Sequence, residues 1–411
     1  MKKILIVGAG GQGAPCASIL ARDKDTSEIV LGDIDLDLVN KVKNKIGSDK
    51  VTAVKLDAGK VEDIERAARG VNAVINLTLC QFNSNIMDAA VKNGAHYVDA
   101  AFGEPIWQQL AEKRPLEFDN EFKRAGLTAL VGCGGSPGIT NVLTRYICDK
   151  LDRVDAICIR DGTKCLEETK EVVSTWEPDW SPEIALADYA AEPIVFEEGK
   201  HKIYPPFSGC EEYDFPAPVG SLLISYHIHE EVVMLSRFIG KGIKHVEFKF
   251  AVDPVAGALV KMGFANLEPI NVKGVRIVPL DVLMQLIRHP VEDFFNEDEN
   301  VAKFPSRFVE PMVIEIRGAK SGEDVEYKIS WLYSIFTNSE EKLEFYRKFG
   351  TTAIAVALPA IVGAKMCMEG EADRGVIAPE CLGAVKFLKM MAELGAPVNF
   401  YEACSKKVSI S

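Results

Sequence analysis

A glycine-rich segment directly after the first apolar stretch constrains the fold of this chain more than any other feature. The segment GAGGQG places Gly8, Gly10 and Gly13 in G-x-G-x-x-G spacing, between a strand pattern and a helical pattern. An acidic residue, Asp33, ends the next strand pattern about 20 residues after the last glycine. A strand, turn, helix and strand that end in an acid predict a dinucleotide-binding unit.

The glycine-rich loop and the helix behind it are predicted to hold the pyrophosphate of the dinucleotide. Gly8 permits the tight turn, Gly10 lets the backbone approach the phosphates, and Gly13 lets helix and strand pack closely. The helix N-terminus adds N–H donors and a positive dipole. The alternative is that the glycines only turn the chain. The predicted cofactor contacts in this loop are Gly8, Gly10, Gly11, Gln12 and Gly13.

Acidic residues at strand ends bear on which dinucleotide binds. A carboxylate at Asp33 accepts the ribose hydroxyls of NAD and repels a 2′-phosphate. Ile34 follows it, so no arginine stands next to Asp33 to receive that phosphate. We therefore predict NAD rather than NADP. Asp57 closes the third strand pattern, where it either lies beside the adenine or caps the strand end.

The order of patterns along the chain predicts an α/β protein in three parts. Apolar strand patterns alternate with amphipathic helical patterns over residues 1–135, which predicts a Rossmann-type doubly wound parallel sheet. Residues 136–350 carry strand patterns between long Pro-, Gly- and acid-rich loops, which indicates an inserted α+β substrate domain with a largely antiparallel sheet. Residues 351–411 turn helical again and are predicted to pack back on the first domain.

Composition excludes several classes of partner. The formal net charge is −13, so the chain lacks the basic surface that a nucleic-acid partner requires. No apolar run is long enough to cross a membrane, and the apolar start of the chain is too short for a secretory signal. The ten cysteines show no C-x-x-C spacing and are predicted to be reduced thiols. We expect a cytoplasmic protein with no nucleic-acid and no membrane partner.

Two polar residues at strand ends are candidates for the chemistry, because open α/β sheets bind ligands at the carboxyl ends of their strands. Asp99 ends the fifth strand pattern and is predicted to orient an amine or to relay a proton. The alternative is that Asp99 is a buried residue that caps a helix. Cys133 follows the sixth strand pattern, where a small buried side chain is the alternative to a substrate contact.

The segment around His229 supplies a second candidate. An imidazole with an ordinary pKa near 6.5 suits proton transfer at neutral pH, so His229 is predicted as an acid–base group unless it is structural. His227, His229 and Glu230 also invite a metal, but a third ligand with convincing spacing is missing and we predict no metal. Arg237 is a candidate to bind a substrate carboxylate, with a surface ion pair as the alternative.

The assembled motifs resemble the saccharopine dehydrogenase-like oxidoreductases, most closely the lysine 6-dehydrogenase-like branch. The matching segments run in order along nearly the whole chain. They are KKILIVGAGGQG, AVINLT, HYVDAAFGEP, GCGGSPGITN, WSPEIALADYAAEPIVFEEGK, HIHEEVVMLSRFI, ALPAIVGAKM and GVIAPECL.

This resemblance implies a homodimer and a reaction at a carbon–nitrogen bond, in which the nicotinamide hydride reduces an imine or an amine is oxidised. It places Thr78 near the nicotinamide and puts Asp99 and the loop 133–141 toward the substrate. The substrate contacts expected from that loop are Cys133, Ser136 and Asn141. The loop has Ser136 where many relatives have an acid, which argues against a saccharopine substrate.

These expectations combine into one predicted function with two alternatives. The predicted enzyme is an NAD(P)-dependent oxidoreductase for an amino-acid-derived amine of the saccharopine or lysine type, with Asp99 and His229 as catalytic residues. The first alternative is an NAD-using polyamine enzyme of the carboxynorspermidine or homospermidine synthase type. The second is an NAD-binding sensor or partner protein without turnover of its own.

Overall fold

The computed structural model describes residues 1–165, 176, 178, 180–303, 308–333, 336 and 338–406. The strands are β1 Lys2–Val7, β2 Thr26–Asp33, β3 Val51–Lys55, β4 Ala73–Asn76, β5 His96–Asp99, β6 Thr128–Leu130, β7 Arg153–Asp161, β8 Lys164–Cys165, β9 Ile194–Glu197, β10 Lys200–Ile203, β11 Glu211–Phe215, β12 Gly220–Tyr226, β13 His245–Ala251, β14 Ile270–Val272, β15 Val275–Ile277, β16 Phe308–Lys320, β17 Glu323–Tyr333, β18 Gly375–Ile377 and β19 Phe400–Lys406. The helices are α1 Gly13–Arg22, α2 Leu36–Ile46, α3 Val61–Ala67, α4 Asn83–Lys92, α5 Ile106–Ala111, α6 Asp119–Ala125, α7 Ile139–Cys148, α8 Pro182–Ala190, α9 Glu231–Phe238, α10 Pro254–Lys261, α11 Pro279–Met284, α12 Val291–Phe294, α13 Asp298–Lys303, α14 Ser339–Phe349, α15 Ala357–Glu369 and α16 Ala384–Glu393, with 3₁₀ helices at Cys80–Phe82 and Pro379–Cys381.

The first sheet confirms the predicted Rossmann-type fold. Its seven strands are parallel and lie in the order β18-β6-β5-β4-β1-β2-β3. The strand order reverses between β1 and β4, which is where open α/β sheets bind their ligands. The apolar side chains of β1 are buried on both faces of the sheet, as parallel strands covered by helices require.

The second sheet is mixed and has ten strands. Its main path runs β10-β9-β13-β7-β16-β17-β19, β12 attaches β11 to the edge of β13, and β8 pairs with β16. Most neighbouring strands pair antiparallel, while β7 and β13 pair parallel. The inserted α+β domain of the prediction is therefore present, although its numerical boundaries stay a prediction.

The C-terminal segment divides between the two sheets. Helix α15 packs on α1 and on strands β4, β5 and β6, as predicted, and β18 extends the first sheet, which the sequence did not predict. Small residues allow this contact, since a Cβ on Gly363 would stand 2.5 Å from a Leu130 methyl carbon. The last strand departs from the prediction for residues 351–411, because β19 pairs antiparallel with β17 of the second sheet.

The described part of the chain contains no helix that is long and apolar enough to cross a membrane. The predicted homodimer and cytoplasmic location stay predictions.

Candidate active site

A cleft of about 360 Å³ lies between the glycine-rich loop and two segments of the inserted part of the chain. One wall comes from residues 180–184 at the start of α8, together with residues 289–291. The other wall contains most of the residues that the sequence suggested for the cofactor, namely Gly8, Gly10, Gly11, Gln12, Asp33, Ile34, Asp57 and Thr78. The carboxyl ends of β1, β2, β3 and β4 therefore meet in one place.

The glycines of the loop fit a dinucleotide pyrophosphate. Gly8 has φ +100°, and a Cβ on Gly13 would stand 1.9 Å from the Gly8 carbonyl oxygen. At both positions neighbouring backbone atoms leave no room for a side chain, so these two glycines shape the turn. A Cβ on Gly10 would meet no protein atom within 4 Å, which leaves open space above its backbone. That arrangement matches the roles predicted for the glycines, with Gly13 behind the cleft rather than in its wall.

The carboxylates at the far end of the cleft are oriented by backbone donors. Asp33 accepts hydrogen bonds from the backbone N–H groups of Ala9 (2.8 Å) and Asp35 (3.0 Å), so it links the glycine-rich loop to the start of α2. Asp57 accepts from Gly59 and pairs with Lys60 at 3.1 Å. A carboxylate held this way has further lone pairs for a ribose hydroxyl, and its charge opposes a phosphate.

Gln12 lines the cleft, and its side chain is held by the segment that leads into α15. Its side-chain amide donates to the Ala353 carbonyl and accepts from the Ala357 backbone N–H, both at 3.1 Å. The side chain therefore ties the glycine-rich loop to the N-terminus of α15. What Gln12 offers the cleft is mainly the position of this loop.

A buried polar network starts at Thr78, beside the cleft. The Thr78 hydroxyl donates to Asn76 Oδ1 at 2.7 Å, and Asn76 Nδ2 donates to both Asn83 Oδ1 and the Tyr97 hydroxyl. Asn83 and Tyr97 both donate to Asp99 Oδ2, at 3.1 and 2.8 Å. The sequence analysis missed Asn76, Asn83 and Tyr97; a polar group inside an apolar strand is the signal that marks Asn76 and Tyr97, whereas Asn83, the first residue of α4, carries no such signal.

Asp99 lies at the centre of this network and not at a surface. Its side chain is 1% exposed, and its Oδ1 accepts the Gly132 backbone N–H at 2.6 Å. Burial raises the pKa of Asp99 to about 8, while the hydrogen bonds from Gly132 and Tyr97 act in the opposite direction. Because both oxygens are occupied and enclosed, the structure favours a role for Asp99 in positioning the following loop over the predicted contact with substrate.

His229 and Glu231 form a hydrogen-bonded pair at the start of α9. His229 Nδ1 donates to Glu231 Oε2, and the imidazole stacks on Phe248 with ring centroids 4.0 Å apart. Glu231 is fully buried, and its Oε1 accepts from the hydroxyls of Ser136 (2.6 Å) and Thr140 (2.7 Å). His229 Nε2 has no hydrogen-bond partner within the described ranges, and the side chain is 15% exposed.

The charges around His229 make it a stronger base than usual. Burial alone lowers its pKa, but the charge and hydrogen bond of Glu231, with Glu230 and Asp188, raise the pKa to about 9. Burial in turn acts to raise the pKa of Glu231, and His229 with the two hydroxyl donors holds it below its usual range. The pair is therefore an imidazolium and a carboxylate at neutral pH.

Two further carboxylates, Asp188 and Glu230, act on the pair of His229 and Glu231 by their charge. Asp188 lies on α8, whose first turn lines the cleft, and burial followed by the charge of Glu230 raises the pKa of Asp188 to about 7. The thiol of Cys80, two residues after Thr78, has its pKa raised by burial and then by the negative charges of Glu230, Asp99 and Asp188. Glu230 and Asp188 are thus close enough to Cys80, near the Thr78 end of the cleft, for their charges to act on its thiol, although His229, Glu230 and Glu231 do not line the cleft themselves.

Of the four residues predicted to bind substrate, only Ser136 lies in this group. Cys133 is fully buried, and its thiol donates to the Pro359 carbonyl at 3.3 Å under α15. Asn141 is also buried, and its side-chain amide accepts from the Gly138 backbone N–H and donates to Glu380. Arg237 lies in the last turn of α9, about 9 Å along the helix from Glu231, and donates to the Arg114 carbonyl. The structure therefore assigns these three residues to packing and positioning.

Glu231 and Asp188 are residues of this site that sequence reasoning missed. Glu231 directly follows the HIHE segment that was considered for a metal, and only Glu230 of the two neighbouring glutamates was considered there. Asp188 follows Ser181 by seven residues, or two helical turns, so the two lie on the same face of α8. Ligand atoms of His229, Glu230 and Glu231 also lie within 4.8 Å of one another, and the absence of a metal stays a prediction.

The fold and the cleft together define the class of protein, an NAD(P)-dependent oxidoreductase with a Rossmann domain. The family description "Saccharopine dehydrogenase NADP binding domain" matches residues 4–130, and "Saccharopine dehydrogenase C-terminal domain" matches residues 134–396. The chain therefore belongs to the saccharopine dehydrogenase family, which confirms the resemblance found in the sequence.

Named relatives of similar length come from polyamine chemistry. The chain is 26% identical to carboxyaminopropylagmatine dehydrogenase of Synechocystis over 97% of both chains. It is 25% identical to carboxynorspermidine synthase of Vibrio cholerae over 95% of both chains.

Two solved structures share the fold. Saccharopine dehydrogenase (L-Glu forming) of Saccharomyces cerevisiae has a TM-score of 0.69 at 15% identity, over 98% of this chain and 100% of that one. Homospermidine synthase of Legionella pneumophila, solved with NAD, has a TM-score of 0.64 at 13% identity, over 98% of this chain and 91% of that one.

Proposed function

We propose that the enzyme oxidises or forms the C–N bond of a carboxylated polyamine, with His229 as the acid–base residue and NAD as the preferred cofactor. The observation that carries the proposal is the excess of carboxylates around His229. Glu230 and Glu231 lie against His229, the charge of Asp188 also acts on it, and no lysine or arginine within the described segments forms an ion pair with these three carboxylates. The imidazolium of His229 offsets only one carboxylate, so the group favours a cationic amine over a substrate with several carboxylates.

The named relatives support this choice of substrate class. Carboxyaminopropylagmatine and carboxynorspermidine, which give two of them their names, are polyamines with a carboxyl group. Saccharopine, the substrate type of the family name, remains the second candidate. The displacement of Arg237 from the cleft argues against it, because Arg237 was the residue predicted to bind a carboxylate.

His229 exchanges a proton with the substrate nitrogen through Nε2. In the oxidative direction neutral His229 takes the proton from the amine, and in the reductive direction the imidazolium returns it. Glu231 holds Nδ1 and so fixes which nitrogen faces the substrate. When bound, the nicotinamide exchanges a hydride with the carbon of the C–N bond. Oxidation is therefore expected to accelerate as the pH rises through the pKa of His229, about 9.

The test is a rate comparison with the purified protein. NAD and NADP are offered separately with carboxyaminopropylagmatine, carboxynorspermidine, saccharopine and lysine, and reduced nicotinamide is followed by its absorbance. A carboxylated polyamine with NAD is expected to give the highest kcat/KM. A higher value with saccharopine or lysine would overturn the polyamine assignment. Tight NADH binding without turnover of any amine would instead support a sensor.

A further inference from the structure

Glu380 is a buried carboxylate that the proposed chemistry does not use. It lies in the 3₁₀ helix Pro379–Cys381, between β18 and α16, and is fully buried. Its Oε2 accepts from Asn141 Nδ2 at 2.9 Å. Its Oε1 has no hydrogen-bond partner in the described part of the chain, and neither does the buried hydroxyl of Thr144 on the facing helix α7. An unpaired buried oxygen is costly, so its retention points to a role.

Asn141 connects Glu380 to the loop that approaches His229. Asn141 Oδ1 accepts the Gly138 backbone N–H at 2.9 Å, which fixes the orientation of the amide. The amide NH₂ must then face Glu380, as observed. Glu380 therefore holds the side chain that closes the turn from Gly138 into α7.

Thr140 connects this turn to Glu231. Its hydroxyl lies 2.7 Å from Glu231 Oε1 and 3.2 Å from Asn141 Oδ1. A hydroxyl has one proton to donate, so these two acceptors compete for it. The shorter bond goes to the carboxylate and stabilises the anion that holds His229.

The charges that face Glu380 come from two elements. Arg145 on α7 donates its Nε to the Glu380 backbone carbonyl at 2.5 Å and makes no hydrogen bond to the carboxylate. Glu231 on α9 opposes ionisation, as does burial. Burial is the largest cause and raises the pKa of Glu380 to about 7, although Asn141 and Arg145 act to lower it. The carboxyl therefore changes charge within the range of ordinary assays.

We propose that Glu380 is a positioning residue that acts through Asn141 and Thr140 on Glu231, and thereby sets the basicity of His229. The inference rests on the proposed acid–base role of His229. An ionised Glu380 holds the Asn141 amide and adds negative charge behind Glu231, which favours the imidazolium. A neutral Glu380 withdraws that charge. The C-terminal segment thus reaches the substrate half of the enzyme through two neighbouring residues of α7, Asn141, which donates to Glu380, and Thr140, which donates to Glu231.

The direct test is an NMR titration of the histidine rings in the wild type and in Glu380→Gln. The chain has six histidines, so the ring signals can be resolved, and His229→Asn identifies the signal of His229. Glutamine keeps the shape and an acceptor for Asn141 but never carries charge. The pKa of His229 is expected to fall by about half a unit to one unit in Glu380→Gln. Glu371→Gln, which removes a half-exposed charge from the same segment, is expected to leave it unchanged.

A second pair of variants covers the case in which Glu380→Gln does not fold. Thr140→Val removes a hydroxyl that donates to Glu231 and leaves the carboxylate a stronger acceptor for His229 Nδ1, so the pKa of His229 is expected to rise, whereas Thr140→Ser keeps the hydroxyl and is expected to keep the wild-type pKa. An unchanged pKa in Thr140→Val, or in a folded Glu380→Gln, would overturn the inference. The titration needs no substrate. If the pKa of His229 shifts in these variants but His229→Asn keeps full turnover, the proposed acid–base role is wrong. The effect of Glu380 on the pKa of His229 would still stand.

Discussion

The cofactor half and the substrate half of this enzyme are built in different ways. The cofactor half uses residues at the carboxyl ends of consecutive strands. Gly8, Gly10 and Asp33 follow one another within a single βαβ unit, and Asp57 and Thr78 follow β3 and β4. The substrate half joins Ser136 to Glu231 and His229 across about a hundred residues of sequence. A site built from neighbouring residues of the chain can be recognised in the sequence by its spacing. A site built from side chains far apart in the chain has no such spacing.

The largest effect is expected from His229→Asn, which removes the proton acceptor of the substrate half alone. The kcat for the best amine substrate should fall ~10²- to 10⁴-fold, while the Kd for NADH stays within about twofold. The measurement is steady-state kinetics together with a fluorescence titration of NADH.

His245→Asn is the matched control for that variant. His245 and Glu247 point to the face of β13 opposite to Phe248, on which His229 stacks. Turnover should therefore be kept in His245→Asn. Equal losses in the two variants would show that the fall comes from a weakened sheet and not from a missing base.

Gly10→Ala should act on the cofactor half alone. The new methyl group meets no protein atom within 4 Å, so the melting temperature should stay unchanged. It fills the space above the loop, and NADH affinity should fall by roughly tenfold or more, about 1.4 kcal/mol. Gly383→Ala, where the nearest atom lies 3.9 Å away in a different region, is the control and should leave affinity intact. Unaltered affinity in Gly10→Ala would remove this loop from the cofactor site.

The same contrast explains how much of the molecule the sequence revealed. Strands β1 to β6, the glycine-rich loop and Asp33 were predictable because periodicity and spacing are local properties. Strand β18 has three residues and is defined only by pairing with β6, so no pattern marked it. Asp99 was found as a strand end, but its enclosure depends on Asn83 and Tyr97. Burial of a polar group is a tertiary property and is invisible in one sequence.

Asp33→Asn should change which dinucleotide is preferred. Loss of the charge weakens the ribose contact and removes the repulsion of a 2′-phosphate, so the ratio of NADPH to NADH affinity should rise roughly tenfold. Asp37→Asn removes the same charge from the first turn of α2 and should leave the ratio as in the wild type. The two Kd values come from fluorescence titrations. A wild-type preference for NADP would contradict the assignment of Asp33 at the outset.

The smallest effect is expected from Asp188→Asn and concerns pH. Burial raises the pKa of Asp188 to about 7, so the carboxyl is neutral below that pH and charged above it. The KM for a cationic amine should therefore fall as the pH rises through 7 in the wild type. In Asp188→Asn the fall should flatten, with a KM roughly two- to fivefold higher at alkaline pH. The exposed Glu192→Gln, just after α8, should behave as the wild type does.

The most direct test of the account is a crystal structure of the enzyme with NAD and a carboxylated polyamine. If His229 is the acid–base residue, the nicotinamide lies at the Thr78 end of the cleft and the reacting nitrogen of the amine lies within hydrogen-bond distance of His229 Nε2. Asp188 and Glu230 should face the cationic part of the substrate. A nicotinamide remote from His229, or an amine bound with its reacting nitrogen against another group, would contradict it.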